Sequence, residues 1–366
     1  MANDRAADEA RSERTTTRRE ILGALGAASA MGMVSQAAEG APRRGGGADR
    51  GGIVTEADRR EHARLRALDL SDPKVAALQK QMPAGTIDNL RIGRLICGSN
   101  LISMNMHSRD LGYVRALATH YNTEDRVLMT LKRCEELGVN GIVLKNHNFK
   151  RFRLSRYWDE WGGKMKWIAD VITTDIDQYE RLLVEHLKLG ASAAYLWGGA
   201  SDIWYFQNKQ RNIVKAMEIM TKHGIPSGIC AHKLEPIRFA EKEGLSPDFY
   251  MKTLHHDRYW SAHPAQGRKP LEMYQKWSPR HDEYHDNLFC QDYKETIEFM
   301  QTVKAPWIAF KVLAAGAISP RDGIGKAFES GADFICLGMF DFQVAEDVKL
   351  TRTAVAEARN RKRPWV

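Results

Sequence analysis

LGVNGIVL at 137–144, LGASAAYL at 189–196, HGIPSGIC at 223–230 and SGADFICL at 330–337 share one grammar. In each, the end of a helical pattern meets a glycine, two or three residues follow, and a short apolar run begins. Gly138, Gly190, Gly224 and Gly331 stand where a left-handed residue ends a helix. The apolar runs are continuous rather than alternating, which is the pattern of parallel strands buried on both faces. Working outward, eight such runs emerge: Ile92–Gly98, Asn140–Lys145, Lys166–Val171, Ala193–Trp197, Pro226–His232, Asp248–Thr253, Trp307–Val312 and Asp333–Gly338. Helical signals at Thr123–Leu137, Asp175–Leu189, Asn208–His223 and Pro320–Ser330 lie between them. The recurrence predicts an α/β (β/α)8 TIM barrel with a long inserted loop after strand six. A doubly wound sheet would more often carry a phosphate-binding G-x-G-x-x-G turn after its first strand, and GSNLIS at 98–103 is not one.

Length and composition agree with one large domain. Of 366 residues, 43% are hydrophobic and 27% charged, enough apolar material for a sizeable core. The N-terminus differs from the rest. Thr17-Arg18-Arg19-Glu20-Ile21-Leu22 precedes a modest apolar run to Val34, and Ser35-Gln36-Ala37 offers small residues for cleavage. This pattern is similar to a twin-arginine export signal. The expected organisation is a signal over 1–38, a Gly/Arg/Pro-rich linker and N-terminal extension over 39–85, and a barrel domain over 86–366. It implies the export machinery as a partner, a periplasmic or other extracytoplasmic location, and no stable membrane span.

The net charge of +8 owes much to the arginines of the first 66 residues, and the remaining basic residues are dispersed among acids. Nucleic-acid binding is therefore not expected. The five cysteines, at 97, 134, 230, 290 and 336, are widely spaced and read as buried small hydrophobes rather than disulfides or a thiolate metal site.

A barrel places its active site at the C-terminal ends of its strands. Strand one delivers Asn100 and His107, strand two Lys145 with Asn146 and His147, strand three Asp170, and strand four Trp197 with Asp202. Strand five delivers His232, strand six Lys252 with His255 and His256, strand seven Lys311, and strand eight Gly338 before Asp341. A lysine in such a mouth is partly desolvated and near like charge, so its amine can become a nucleophile or a base. Lys252 and Lys311 are the expected catalytic pair, with His232 and His255 as proton carriers. Gly316 and Gly338 could bring backbone N–H groups to an anionic or hydroxyl-rich end of a substrate. Asn100, Lys145, His147, Trp197, Asp202, Trp260 and Asp341 complete the expected substrate-binding set, Trp197 and Trp260 as stacking surfaces. A second reading makes His232, His255 and His256 ligands of a divalent metal, helped by the histidine-rich connection from Leu254 to Gln291.

Three resemblances bear on the reaction. Tyr250-Met251-Lys252-Thr253 and the stretch from Phe310 to Ile318 (FKVLAAGAI) resemble strands six and seven of class I aldolases of the deoxyribose-phosphate type. That implies one lysine forming an imine and the other tuning it, although GAI stands where such aldolases tend to have GGI. HYNTEDRVLMTLKRCEELGVNGI at 120–142 resembles the first repeats of aldo-keto reductases, but Val143 holds the place of their catalytic Asp and no Tyr follows at their spacing. KTLHH at 252–256 together with the tail from Ala309 to Gln343 is similar to a group of bacterial barrel proteins with export signals, which implies the fold and no particular reaction.

The sequence therefore predicts an exported lyase or isomerase acting on a small carbonyl or sugar-derived substrate, with no cofactor required for the lysine mechanism. The alternatives are a metal-dependent sugar isomerase, epimerase or hydrolase, an aldo-keto-reductase-like oxidoreductase, and a non-catalytic ligand-binding barrel.

Overall fold

Ile96, Val143, Ile168, Phe249, Ile308 and Phe334 occupy alternate positions in six of the apolar runs, and this period-two set turns inward to form a single core. The computed structural model describes residues 55–108, 111–145, 152–268 and 289–366. Its strands are β1 (Ala84–Ile87), β2 (Leu90–Gly93), β3 (Leu95–Gly98), β4 (Gly141–Lys145), β5 (Lys166–Val171), β6 (Ala191–Leu196), β7 (Ser227–Ala231), β8 (Phe249–Thr253), β9 (Trp307–Phe310) and β10 (Phe334–Gly338). β3 to β10 pair in parallel in sequence order, and β10 returns to β3, so the sheet closes as an eight-stranded barrel.

The helices are α1 (Glu56–Ala67), α2 (Pro73–Gln79), α3 (Gly112–Tyr121), α4 (Glu124–Glu136), α5 (Leu154–Trp161), α6 (Tyr179–Lys188), α7 (Gly198–Phe206), α8 (Arg211–Lys222), α9 (Glu235–Lys242), α10 (Tyr293–Met300), α11 (Pro320–Glu329) and α12 (Val344–Glu357). The four repeat glycines take left-handed φ, from 61° at Gly224 to 105° at Gly331. α7 is a helix where the sequence reading placed a loop. It starts directly after β6, and its first six residues are all buried.

The first expected strand divides in two. Leu90–Gly93 pairs antiparallel with Ala84–Ile87, and only Leu95–Gly98 enters the barrel. The hairpin sends Ile87 and Ile92 into the barrel core, sealing its N-terminal end. α1 and α2 form within the stretch expected as an extension. A capping box of Thr55 and Asp58 starts α1, and Arg126 of α4 bonds both Asp58 of α1 (2.8 Å) and Asp341 (2.9 Å). The expected signal, 1–38, lies outside the described residues. Among those described, no helix is long and apolar enough to cross a membrane. All five cysteines are buried and free.

Candidate active site

Strand parity decides what reaches the C-terminal mouth. Counting up each strand from its core residue, the next inward positions are Gly98, Lys145, Asp170, Tyr195, Cys230, Met251, Phe310 and Cys336. These residues floor a cavity of about 550 Å³. Its walls add Asn100, His107, Trp197, His232, Phe289, Lys311, Gly316 and Gly338. Size and mixed lining suit a small-molecule site.

Lys145 and Asp170 lie side by side on the floor, as register partners of adjacent strands β4 and β5. Burial pulls the Lys145 amine below its usual range, with the charge of Asp170 opposing. Burial likewise raises Asp170 to about 6, against the pull of Lys145, Tyr195 and Lys311. Asp170 is 3% exposed, and its Oδ1 accepts no hydrogen bond among the described residues. A buried carboxylate oxygen left unsatisfied costs free energy unless something donates to it.

His232 is held from behind. Asp202 of α7, fully buried, accepts from His232 Nδ1 (3.0 Å), His232 N (3.0 Å) and Lys233 N (3.0 Å). With Nδ1–H fixed on a carboxylate, Nε2 is left as the acceptor nitrogen. Burial keeps this imidazole below its ordinary pKa even though Asp202 pulls it upward. Gly198 makes room for the pair, since a Cβ there would lie 2.9 Å from Cys230 Sγ and 3.3 Å from the His232 ring.

On the opposite wall, Lys311 follows β9 in a left-handed conformation (φ 57°), uncommon for a side chain of its size. Its amine donates to His107 Nε2 (2.6 Å) and lies 4.0 Å from the centre of the Phe289 ring. Burial, then the Lys311 charge, holds His107 well below the usual imidazole range.

The structure thus gathers Asn100, Lys145, Trp197, His232, Lys311, Gly316 and Gly338 around one cavity, and His147 lies outside the described residues. Other expected site residues fall elsewhere. Lys252 has the opposite parity from Met251 and turns away from the cavity. Fully buried, it donates to Asp292 (3.3 Å) and Thr253 (3.1 Å). Burial alone would lower its pKa, but Cys290 and Asp292 raise it, so it is a charged structural lysine rather than a nucleophile. His255 is a backbone clamp rather than a proton carrier. Its Nδ1 donates to His256 O (2.9 Å), and its Nε2 accepts from Phe289 N (3.0 Å) and Cys290 N (3.1 Å). His256 instead meets Asp322 on the surface (3.1 Å). His232, His255 and His256 therefore do not converge as a ligand set, and the described residues contain no group of three metal-binding side chains. Asp202 orients His232 rather than facing a substrate. Asp341 is bonded by Tyr121 and Arg126 outside the cavity, and Trp260 is 91% exposed.

Tyr195 and Cys230 escaped the sequence reading, and Asp170 and His107 were placed at strand ends without a role. The signal that could have found Asp170, Tyr195 and Cys230 is the inward parity they share with the core residues two positions earlier.

No protein-family model and no curated protein matches the chain. Among solved structures, a proposed aldo-keto reductase from Pseudomonas aeruginosa aligns with 76% of this chain and 96% of its own, at 15% identity and a TM-score of 0.49. A dihydrodipicolinate synthase aligns with 66% of this chain and 73% of its own, at 11% identity and 0.40. A 3-hexulose-6-phosphate synthase from Salmonella typhimurium aligns with 60% and 88%, at 15% identity and 0.36. These likenesses are to barrel-enzyme structures and do not specify a reaction.

Proposed function

We propose that the cavity is the active site of a lyase or isomerase acting on a small carbonyl compound, with Lys145 as its nucleophile or base. The observation that carries this reading is the Lys145–Asp170 pair on the floor, a low-pKa amine beside a high-pKa carboxylic acid. An amine depressed by burial is neutral more often at working pH and can attack a carbonyl carbon. A carboxyl group near 6 can take and return protons there. His232, oriented by Asp202, is a second proton carrier. Lys311, whose ammonium form is favoured over the Phe289 ring, supplies positive charge for a developing oxyanion. In this reading the reaction needs no metal or cofactor. Export by the twin-arginine route, behind the signal expected at 1–38, belongs to the same proposal.

The test is to incubate the protein with a panel of aldehydes, ketones and keto-sugars plus borohydride and to map adducts by mass spectrometry. The expected result is one reduced adduct on Lys145, lost in Lys145→Met and kept in Lys252→Met. An adduct that maps to Lys252, or none with any carbonyl, would overturn the assignment.

A further inference from the structure

The unsatisfied oxygen of Asp170 defines the substrate further. Oδ1 belongs to a side chain only 3% exposed that lines the cavity, and no described residue donates to it. An acceptor left this way in a dry site is complementary to a donor carried by a ligand. The pairing of β4 with β5 locates that donor. Lys145 and Asp170 are register partners, so their backbones are about 4.8 Å apart, the ordinary spacing of neighbouring strands. A carbonyl carbon at Lys145 and a donor at Asp170 are then separated by two or three bonds. From this juxtaposition we infer that the substrate is a β-hydroxy carbonyl compound whose hydroxyl donates to Asp170, and that the reaction is carbon–carbon cleavage.

This inference rests on Lys145 acting as the nucleophile. Lys145 Nζ adds to the carbonyl carbon, and water leaves to give an iminium. The Asp170 carboxylate takes the β-hydroxyl proton. The Cα–Cβ bond breaks, its electron pair moves through Cα to the iminium nitrogen to form an enamine, and the β carbon departs as a second carbonyl compound. Asp170 returns its proton to Cα, and water hydrolyses the new iminium to free the lysine. Atoms and charge balance without an oxidant or a metal.

Two measurements separate the hydroxyl assignment from the imine. Trp197 lines the cavity, so its fluorescence reports binding of probes that cannot form an imine. 1,3-Butanediol and 2-butanol differ by one hydroxyl. The diol is expected to bind at least about tenfold more tightly to the wild type, the scale of a hydrogen bond to a charged acceptor, and the preference should fall within about twofold in Asp170→Leu. Should that variant fail to fold, Asp170→Asn keeps the shape, loses the charge and should show an intermediate preference. No preference in the wild type, or one that survives Asp170→Leu, overturns the inference. In parallel, 4-hydroxy-2-butanone with borohydride should label Lys145 and, without borohydride, release acetone and formaldehyde. A diol preference with no adduct keeps the hydroxyl assignment and overturns the imine mechanism alone. An adduct without cleavage overturns the lyase step.

Discussion

At the scale of the residue, His232 shows how one neighbour sets the chemistry of a side chain. An isolated imidazole divides its proton between two nitrogens, whereas here Asp202 accepts from Nδ1 and from two backbone N–H groups at once. Asp202→Asn keeps the volume but replaces one acceptor oxygen with a donor. The amide then either faces Nδ1–H with a second donor or abandons a backbone N–H, so the ring proton is expected to move to Nε2. Nitrogen-15 NMR of the ring reads this directly, with Nδ1 protonated in the wild type and Nε2 in the variant. If Nδ1 stays protonated, Asp202 does not determine the tautomer. Where His232 carries the proton in turnover, the exchanged tautomer should cost roughly a hundredfold or more in rate.

At the scale of the element, β8 and the residues after it carried the strongest functional signal in the sequence and have a structural role. Lys252, Thr253 and His255 bolt the end of the long connection to the barrel, where Phe289 enters the cavity against Lys311 and His107. Parity explains the misreading. In FYMKT every position but the last two is apolar, so the run does not reveal whether Met251 or Lys252 faces inward, and a one-residue shift exchanges the two faces. The strands were legible because eight repeats of one pattern reinforce each other, and the mouth residues of β4, β7 and β9 followed from strand ends alone. Asp170 became legible as a site only once its neighbours across the sheet were fixed. The clamp also predicts a pH dependence. Burial lowers His255 from 6.5 to about 4 in the folded protein, so the unfolded chain binds the extra proton between those values. The stability is present above 6.5 and is lost as pH falls toward 4, by about 2 kcal/mol at pH 5. His255→Ala leaves two backbone N–H groups unsatisfied and should lose roughly 2–4 kcal/mol at pH 7. Urea unfolding at pH 7 and pH 5 should show this deficit shrinking at the lower pH. A deficit equal at both values would mean that His255 remains neutral in the unfolded chain's range as well.

At the scale of the whole molecule, the barrel keeps its stabilising charge and its chemistry at opposite ends. At the N-terminal end Asp333, just before β10, is fully buried and accepts from Arg361 (3.0 Å), Arg363, Trp307 N (2.9 Å) and Val366 N (3.1 Å). Arg94 donates to the Asp333 carbonyl (2.9 Å) and stacks on Trp365, whose ring also lies under Arg361. The tail from Arg361 onward and the β1–β2 hairpin thus belong to the end away from the cavity, where barrel residues serve stability rather than reaction. Burial brings Arg361 down to about 10, still charged at neutral pH. Removing the shared counter-charge strands two buried guanidinium groups, which typically costs about 3–5 kcal/mol. Asp333→Asn should therefore lower the urea midpoint substantially while leaving the cavity intact. Below its unfolding transition, the variant should form the borohydride adduct on Lys145 at a rate within about twofold of wild type. A folded Asp333→Asn protein that no longer labels Lys145 would show that the two ends are coupled through the strands. Equal stability of variant and wild type would show that the arginines find other partners when Asp333 is neutral.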